Sequence, residues 1–276
     1  RRIRRWLLIP LTLVTLLFAC LGAVAFVRDY EQQRLADSPQ RHVVDRIRAA
    51  ALPDDGVVIT SREAFDAVAP FLPEQEVRLY TRDDGEFRSE AFEAQWSSFV
   101  ARHPRVWLLL DYAGGQNADW TAHLTQSLGQ TGYLTLDEWV GSEQKLAHYA
   151  TTEPSAFRTE ELGADFGGAL TLRRVKVDED ALQAGEVLRL RLRWRMAAAA
   201  DADLNVFVHL VSEQGQLTAQ QDVPLQAARR LGLLLPPALL PGSYGLRIGV
   251  YDPETGERFL LPTGENAIGI EGIEVR

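Results

Sequence analysis

The longest unbroken apolar run in the chain is Trp6–Val27, WLLIPLTLVTLLFACLGAVAFV, 22 residues without a charge. At ~1.5 Å per residue a helix of that length reaches ~33 Å, enough for a hydrocarbon core of ~30 Å. The pattern predicts a transmembrane helix over 6–27, a cytoplasmic flank over 1–5 and a linker over 28–40. Arg1, Arg2, Arg4 and Arg5 precede the run, so the positive-inside bias orients it with its N-terminus in the cytoplasm. The expected localisation is the cell membrane, with residues 28–276 extracytoplasmic. A secretory signal peptide is the competing reading, but its apolar core is usually only about 7–15 residues. Gly22-Ala23-Val24-Ala25 is also a poor cleavage site.

Beyond the run, helical and strand periods alternate over 41–152. HVVDRIRAAAL (42–52) brings Val43, Val44, Ile47 and Leu52 to one helical face, and VVIT (57–60) follows as a short strand. SREAFDAVAPFL (61–72) begins with Ser61, a suitable N-cap. EVRLYTR (76–82) reads as a strand, SEAFEAQWSSFVARH (89–103) as an amphipathic helix, and RVWLLLDY (105–112) as the most apolar, central strand. NADWTAHLTQSLGQTG (117–132) is a helix, and YLTLDEW and KLAHYAT are strands. Such alternation suggests an extracytoplasmic α/β domain over 41–152 with a parallel, Rossmann-like sheet.

Residues 153–163 are polar and read as a linker. From 164 to 276 the period becomes two. In EVLRLRLRWRM (186–196), Leu188, Leu190, Leu192, Trp194 and Met196 face one way and Arg189, Arg191, Arg193 and Arg195 the other. NVFVHLV, YGLRIGVYD and IGIEGIEV are further strands, separated by turns such as Pro253-Glu254-Thr255-Gly256. The expected fold class is therefore α/β plus all-β: one N-terminal transmembrane helix, a Rossmann-like α/β domain, then an antiparallel β-sandwich over 164–276.

Charge and cysteine content narrow the chemistry. The formal net charge of -9 sets the surface against nucleic acid, which is not expected as a partner. The single cysteine, Cys20, lies inside the apolar run, so the rest of the chain has neither disulfide nor thiol chemistry. The chain starts at Arg1 rather than Met, which reads either as a trimmed start or as the last span of a longer polytopic protein.

Candidate reactive groups are sparse. Asp111 ends the central strand and Gly114-Gly115 precede a helix, the usual place for a ligand in an open α/β sheet. There is no GxGxxG and no phosphate-binding GxxxxGK[ST], so a loop capped by Asn117 or Asp119 is the simpler reading. His42, His103, His123, His148 and His209 show no metal-ligand spacing, and His209 reads as a core histidine. Asp83-Asp84 and Asp178-Asp180 read as turn carboxylates, with a calcium site at 178–180 as the alternative. The arginine face at 189–195 suits either an anionic polymer or lipid phosphate, or pairing with acidic residues of a neighbouring strand. The negative background favours pairing. Trp194 and Trp107 read as core, which leaves Trp120 and Trp139 as the undecided aromatics for sugar stacking. No catalytic residue, no metal ligand and no cofactor is assigned, and the binding residues stay open.

The order PRVWLLLDY, KLAHYAT, DFGGALTLRRVKV, GEVLRLRLRWRM, DLNVFVHLVSEQGQLTAQQDVP and LLPGSYGLRIGVYDPETGERF resembles the C-terminal region of bacterial GT-C-fold membrane glycosyltransferases related to dolichyl-phosphate-mannose–protein mannosyltransferases. LQAARRLGLLL after Pro224 departs from that pattern, where a segment with proline, threonine and tryptophan is expected. The resemblance implies the last transmembrane helix and accessory outer domains of an enzyme using a polyprenyl-phosphate sugar donor. The catalytic carboxylate of such an enzyme lies upstream, so this part is expected to be non-catalytic. The implied partners are the membrane, the remainder of the polytopic enzyme, and a glycan or polyprenyl-linked sugar. The alternative function is a single-span membrane-anchored binding protein of the cell envelope.

Overall fold

The computed structural model describes residues 40–81, 89–113, 118–168, 170–196 and 203–276. The expected flank, span and most of the linker at 28–40 lie outside these residues. Four α-helices are present among the described residues. Helix α1 (Gln40–Ala50) buries Val43, Val44 and Ile47 on one side. In α2 (Arg62–Val68) the Ser61 hydroxyl accepts from the Ala64 N–H at 3.4 Å. In α3 (Glu90–Arg102) Ser89 accepts from the Phe92 N–H at 3.1 Å, and Trp96 and Phe99 point inward. Each cap satisfies an amide that the first helical turn leaves without a partner. Helix α4 spans Ala118–Thr131.

Thirteen strands form two sheets among the described residues. The strands are β1 (Gly56–Ile59), β2 (Glu76–Leu79), β3 (Arg105–Asp111), β4 (Tyr133–Val140), β5 (Gln144–Ala150), β6 (Phe157–Phe166), β7 (Leu170–Asp178), β8 (Val187–Met196), β9 (Asn205–Ser212), β10 (Leu217–Pro224), β11 (Arg230–Leu234), β12 (Gly242–Tyr251) and β13 (Ile268–Val275). The larger sheet has nine strands in the order β2-β1-β3-β5-β4-β11-β8-β7-β6, and the smaller has four in the order β10-β9-β12-β13.

This arrangement corrects the expected fold class. The α/β segment and the β segment are not a Rossmann-like domain followed by a separate β-sandwich, because one sheet runs through both. β1 runs parallel to its neighbours β2 and β3. β3 and β5, and β4 and β5, run antiparallel, since β4 and β5 are joined by a tight turn with no crossover helix. β11 completes the joint, with Leu231 in parallel register beside Leu134 of β4 and antiparallel beside Leu190 of β8. The stretch expected as a linker over 153–163 contributes most of edge strand β6. Its polar composition reflects an edge that is half exposed along its length.

No helix among the described residues is long and apolar enough to cross a membrane. The expected membrane-integral placement, with residues 28–276 extracytoplasmic, is corrected on this finding and is not carried forward.

Packing follows the faces of the large sheet. On one face Trp96, Phe99 and Leu124 of the helices join Leu108, Leu190, Val208, Leu246 and Ile248 in a single apolar cluster that reaches from α3 and α4 to the small sheet. On the other face α1 and α2 cover Val57, Ile59, Trp107, Leu109 and Leu146. The joint is tight. A Cβ at Gly232 of β11 would lie 2.4 Å from Thr135 Cγ2 and 2.8 Å from Val187 Cγ1, so only glycine fits between those strands. Polar bonds cross it too. Arg105 of β3 donates to the Gly185 carbonyl before β8 at 2.9 Å, and Glu153 accepts from Tyr133, Arg191 and Arg230.

Candidate functional site

The groups singled out in the sequence mostly carry structural bonds. The Asp111 N–H donates to Thr60 Oγ1 at 2.8 Å and its carboxylate accepts from the Ala113 N–H at 2.8 Å, so Asp111 shapes the loop that leaves β3. Gly114, Gly115, Asn117, Asp83 and Asp84 lie outside the described residues. Buried Asp178 accepts from Arg189 at 3.1 Å. Burial raises its pKa above the usual value and outweighs that bond. Asp180 accepts from Ser155, which lowers its pKa. The two carboxylates therefore serve protein donors rather than converging on one point.

The five histidines stay apart. His42 faces Glu138 at 3.4 Å, His103 faces Glu76 at 3.1 Å, and His123 faces Glu93 at 2.8 Å. His148 is fully buried, with its ring 4.0 Å from that of Trp107 and its Nδ1 against Thr135. His209, expected in the core, is partly exposed and lies 4.0 Å from Asp222. Among the described residues no group of three or more His, Cys, Asp or Glu side chains is placed to hold a metal ion.

The arginine face of β8 divides in two. Arg189 pairs with Asp178 and donates to Thr152 Oγ1 at 2.9 Å. Arg191 pairs with Glu153 and lies over the Phe157 ring at 4.7 Å. Arg193 and Arg195, further along the strand, have no ion pair among the described residues. A register shift between Leu172 and Arg174 of β7 brings Arg173 and Arg174 to the same place, with Arg174 directly beside Arg193. Like charges in direct register are unfavourable. Glu161 of β6 relieves part of this by accepting from Arg174.

Trp194 stands where the sheet runs out. β11 pairs with β8 only as far as Arg191, and beyond it the chain at Leu225–Arg229 runs alongside, with the Leu192 N–H donating to the Arg229 carbonyl at 3.0 Å. The Trp194 indole N–H donates to the Ala228 carbonyl at 3.1 Å, and its ring lies 6.1 Å from Phe166. It is only partly buried, and Met196 is 45% exposed. The inward stripe of β8 thus ends at Leu192, and Trp194 and Met196 form a rim rather than a core.

Two adjoining clefts share this rim. One, about 380 Å³, is lined by Glu161, Arg173, Arg174, Arg193, Trp194 and Arg195. The other, about 430 Å³, is lined by Arg193, Trp194, Met196, Gln226 and Arg229 with Leu192 and Leu225 beneath. Both volumes fall within the ~300–1,000 Å³ usual for small-molecule sites. The alternation of β8 made the arginines visible in the sequence. The shift in β7 that adds Arg173, and the return of the chain that adds Gln226 and Arg229, were not.

No family model matches this chain. No curated protein matches it either. Among solved structures it is similar to an endonuclease/exonuclease/phosphatase from Beutenbergia cavernae, at 10% identity and a TM-score of 0.28. That similarity covers 65% of this chain, which spans only 58% of the other. A likeness of this size carries no argument about fold or chemistry. These findings correct the expected kinship: neither a family model nor a curated protein supports the membrane glycosyltransferase resemblance. The function built on that resemblance is set aside with it.

Proposed function

We propose that this chain binds a short acidic saccharide in the arginine clefts around Trp194. One observation carries the reading. Arg173, Arg193, Arg195 and Arg229 have no ion-pair partner among the described residues, although the chain holds 38 acidic against 29 basic residues. A guanidinium presents a planar fork of donors that fits a carboxylate or sulfate in two parallel bonds. The half-buried indole of Trp194, shared by both clefts, supplies an apolar wall for a ring. The surrounding negative charge repels an extended polyanion, which favours a ligand of a few units over a polymer.

The test is calorimetric titration of the full chain with trigalacturonate, beside the neutral trisaccharide maltotriose. The acidic sugar should bind and the neutral one should not. The double variant Arg193→Gln/Arg195→Gln should lose at least about tenfold in affinity, the scale of one charge-assisted bond. Equal affinity for the two sugars, or an unchanged affinity in the double variant, would refute the proposal.

A further inference from the structure

We infer that Trp139, at the β4–β5 hairpin, is a stacking platform for one neutral pyranose ring. This site is independent of the arginine clefts. Trp139 is 57% exposed, the most open of the large aromatic side chains described. It is nevertheless held in place. The Tyr112 ring packs beside it at 5.3 Å between centroids, tilted by 51°. Lys145, its direct register partner on β5, holds its Nζ over the indole ring, 5.5 Å from the centroid, so a ligand stacks on the opposite ring face. Lys145 is itself fixed by Asp137, with Nζ 2.7 Å from Oδ1. An exposed indole fixed from two sides before any ligand arrives gives up little freedom on binding, which favours affinity.

The surroundings select the ligand. No other large apolar side chain on β3, β4 or β5 is exposed. A single indole is far smaller than the area of roughly 1,000 Å² that a stable protein interface requires. It does match the C–H face of one sugar ring. Asp137 and Lys145 lie on the same side as the ring and offer an acceptor and a donor for sugar hydroxyls that reach past the ring edge. Their charges cancel, so the site has no preference for an ionic ligand. A β-linked gluco-configured ring, with its hydroxyls equatorial, presents the flattest C–H face to such a surface.

The full chain carrying 5-fluorotryptophan, titrated with cellohexaose and followed by ¹⁹F NMR, tests the inference. The resonance assigned to Trp139, by its absence in Trp139→Phe, should shift and saturate. The Trp194 resonance should stay still. Tyr112→Ala should weaken the response severalfold while the thermal unfolding midpoint of Trp139→Phe stays unchanged. A stationary Trp139 resonance at the solubility limit of cellohexaose would overturn the inference, as would a shift confined to Trp194. A stationary Trp139 resonance leaves the acidic-sugar reading of the clefts untouched, whereas a shift confined to Trp194 counts against that reading as well.

Discussion

Arg105 holds Asp55 in a bidentate pair, with Nε 2.8 Å from Oδ1 and Nη2 2.9 Å from Oδ2. Asp55 is fully buried and Arg105 is 4% exposed. The Trp107 indole N–H adds a third bond to Asp55 Oδ2 at 3.0 Å. Two further guanidinium N–H groups reach the Ala50 and Gly185 carbonyls, both at 2.9 Å. One ion pair thus ties α1, β3 and the turn before β8 together.

Removing one partner leaves a buried charge without a counter-ion, which typically costs about 3–5 kcal/mol. Asp55→Ala should lower the unfolding free energy by that amount in a urea titration. The double variant Asp55→Ala/Arg105→Met should cost clearly less than the two single changes added together, because neither charge is then stranded. Additive costs would show that the two residues do not act as a pair.

His148 gives the fold a pH dependence with a definite sign. Burial holds its imidazole well below the ordinary histidine range, and the charges of Arg105 and Arg46 push the same way. Its Nε2 has no hydrogen-bond partner among the described residues. The folded protein therefore keeps His148 neutral where the unfolded chain, with a pKa of about 6.5, takes up a proton. Stability from this group is complete above that value and is lost as pH falls below it, at up to ~1.4 kcal/mol per pH unit. Urea titrations at pH 7.5 and 5.5 should show this loss, and His148→Gln should have a smaller one. The same slope in both proteins would contradict the assignment.

Glu153 acts in a lower window. Burial raises its pKa, but bonds from Tyr133, Arg230 and Arg191 outweigh this and bring it to about 2. A carboxylate depressed from its ordinary value of 4.5 stabilises the fold above that value, and the contribution fades as pH falls toward 2. Glu153 is 48% exposed, so solvent screening limits the effect to about 1 kcal/mol or less. Glu153→Gln should be less stable than the parent at pH 7, and the gap should narrow steadily as pH falls from 4.5 toward 2. A gap independent of pH would mean that the side chain acts by packing alone.

Local patterns were legible wherever a single face decided burial. Val43, Val44 and Ile47, the alternate leucines 188, 190 and 192, and the Ser61 cap could each be read from spacing. The joint between the two halves could not. It depends on Leu231 meeting Leu134 across nearly a hundred residues and on Gly232 fitting between Thr135 and Val187, and neither leaves a local period. β6 reads as a linker in the sequence because an edge strand half open to solvent has no apolar stripe to show. Trp194 reads as core from alternation alone, because alternation carries no information on where a neighbouring strand stops. The arginine face was expected to pair throughout. Arg189 and Arg191 do, because Asp178 and Glu153 come near them, while Arg193 and Arg195 lie beyond those acids.

The proposal of an acidic-sugar site is tested most directly by the guanidinium Nε–Hε resonances of the full chain during a trigalacturonate titration. The account predicts shifts at Arg193 and Arg195 that saturate together, with Arg105 unmoved because its Nε already donates to Asp55. Shifts confined to the paired arginines, or none at saturating sugar, would contradict it.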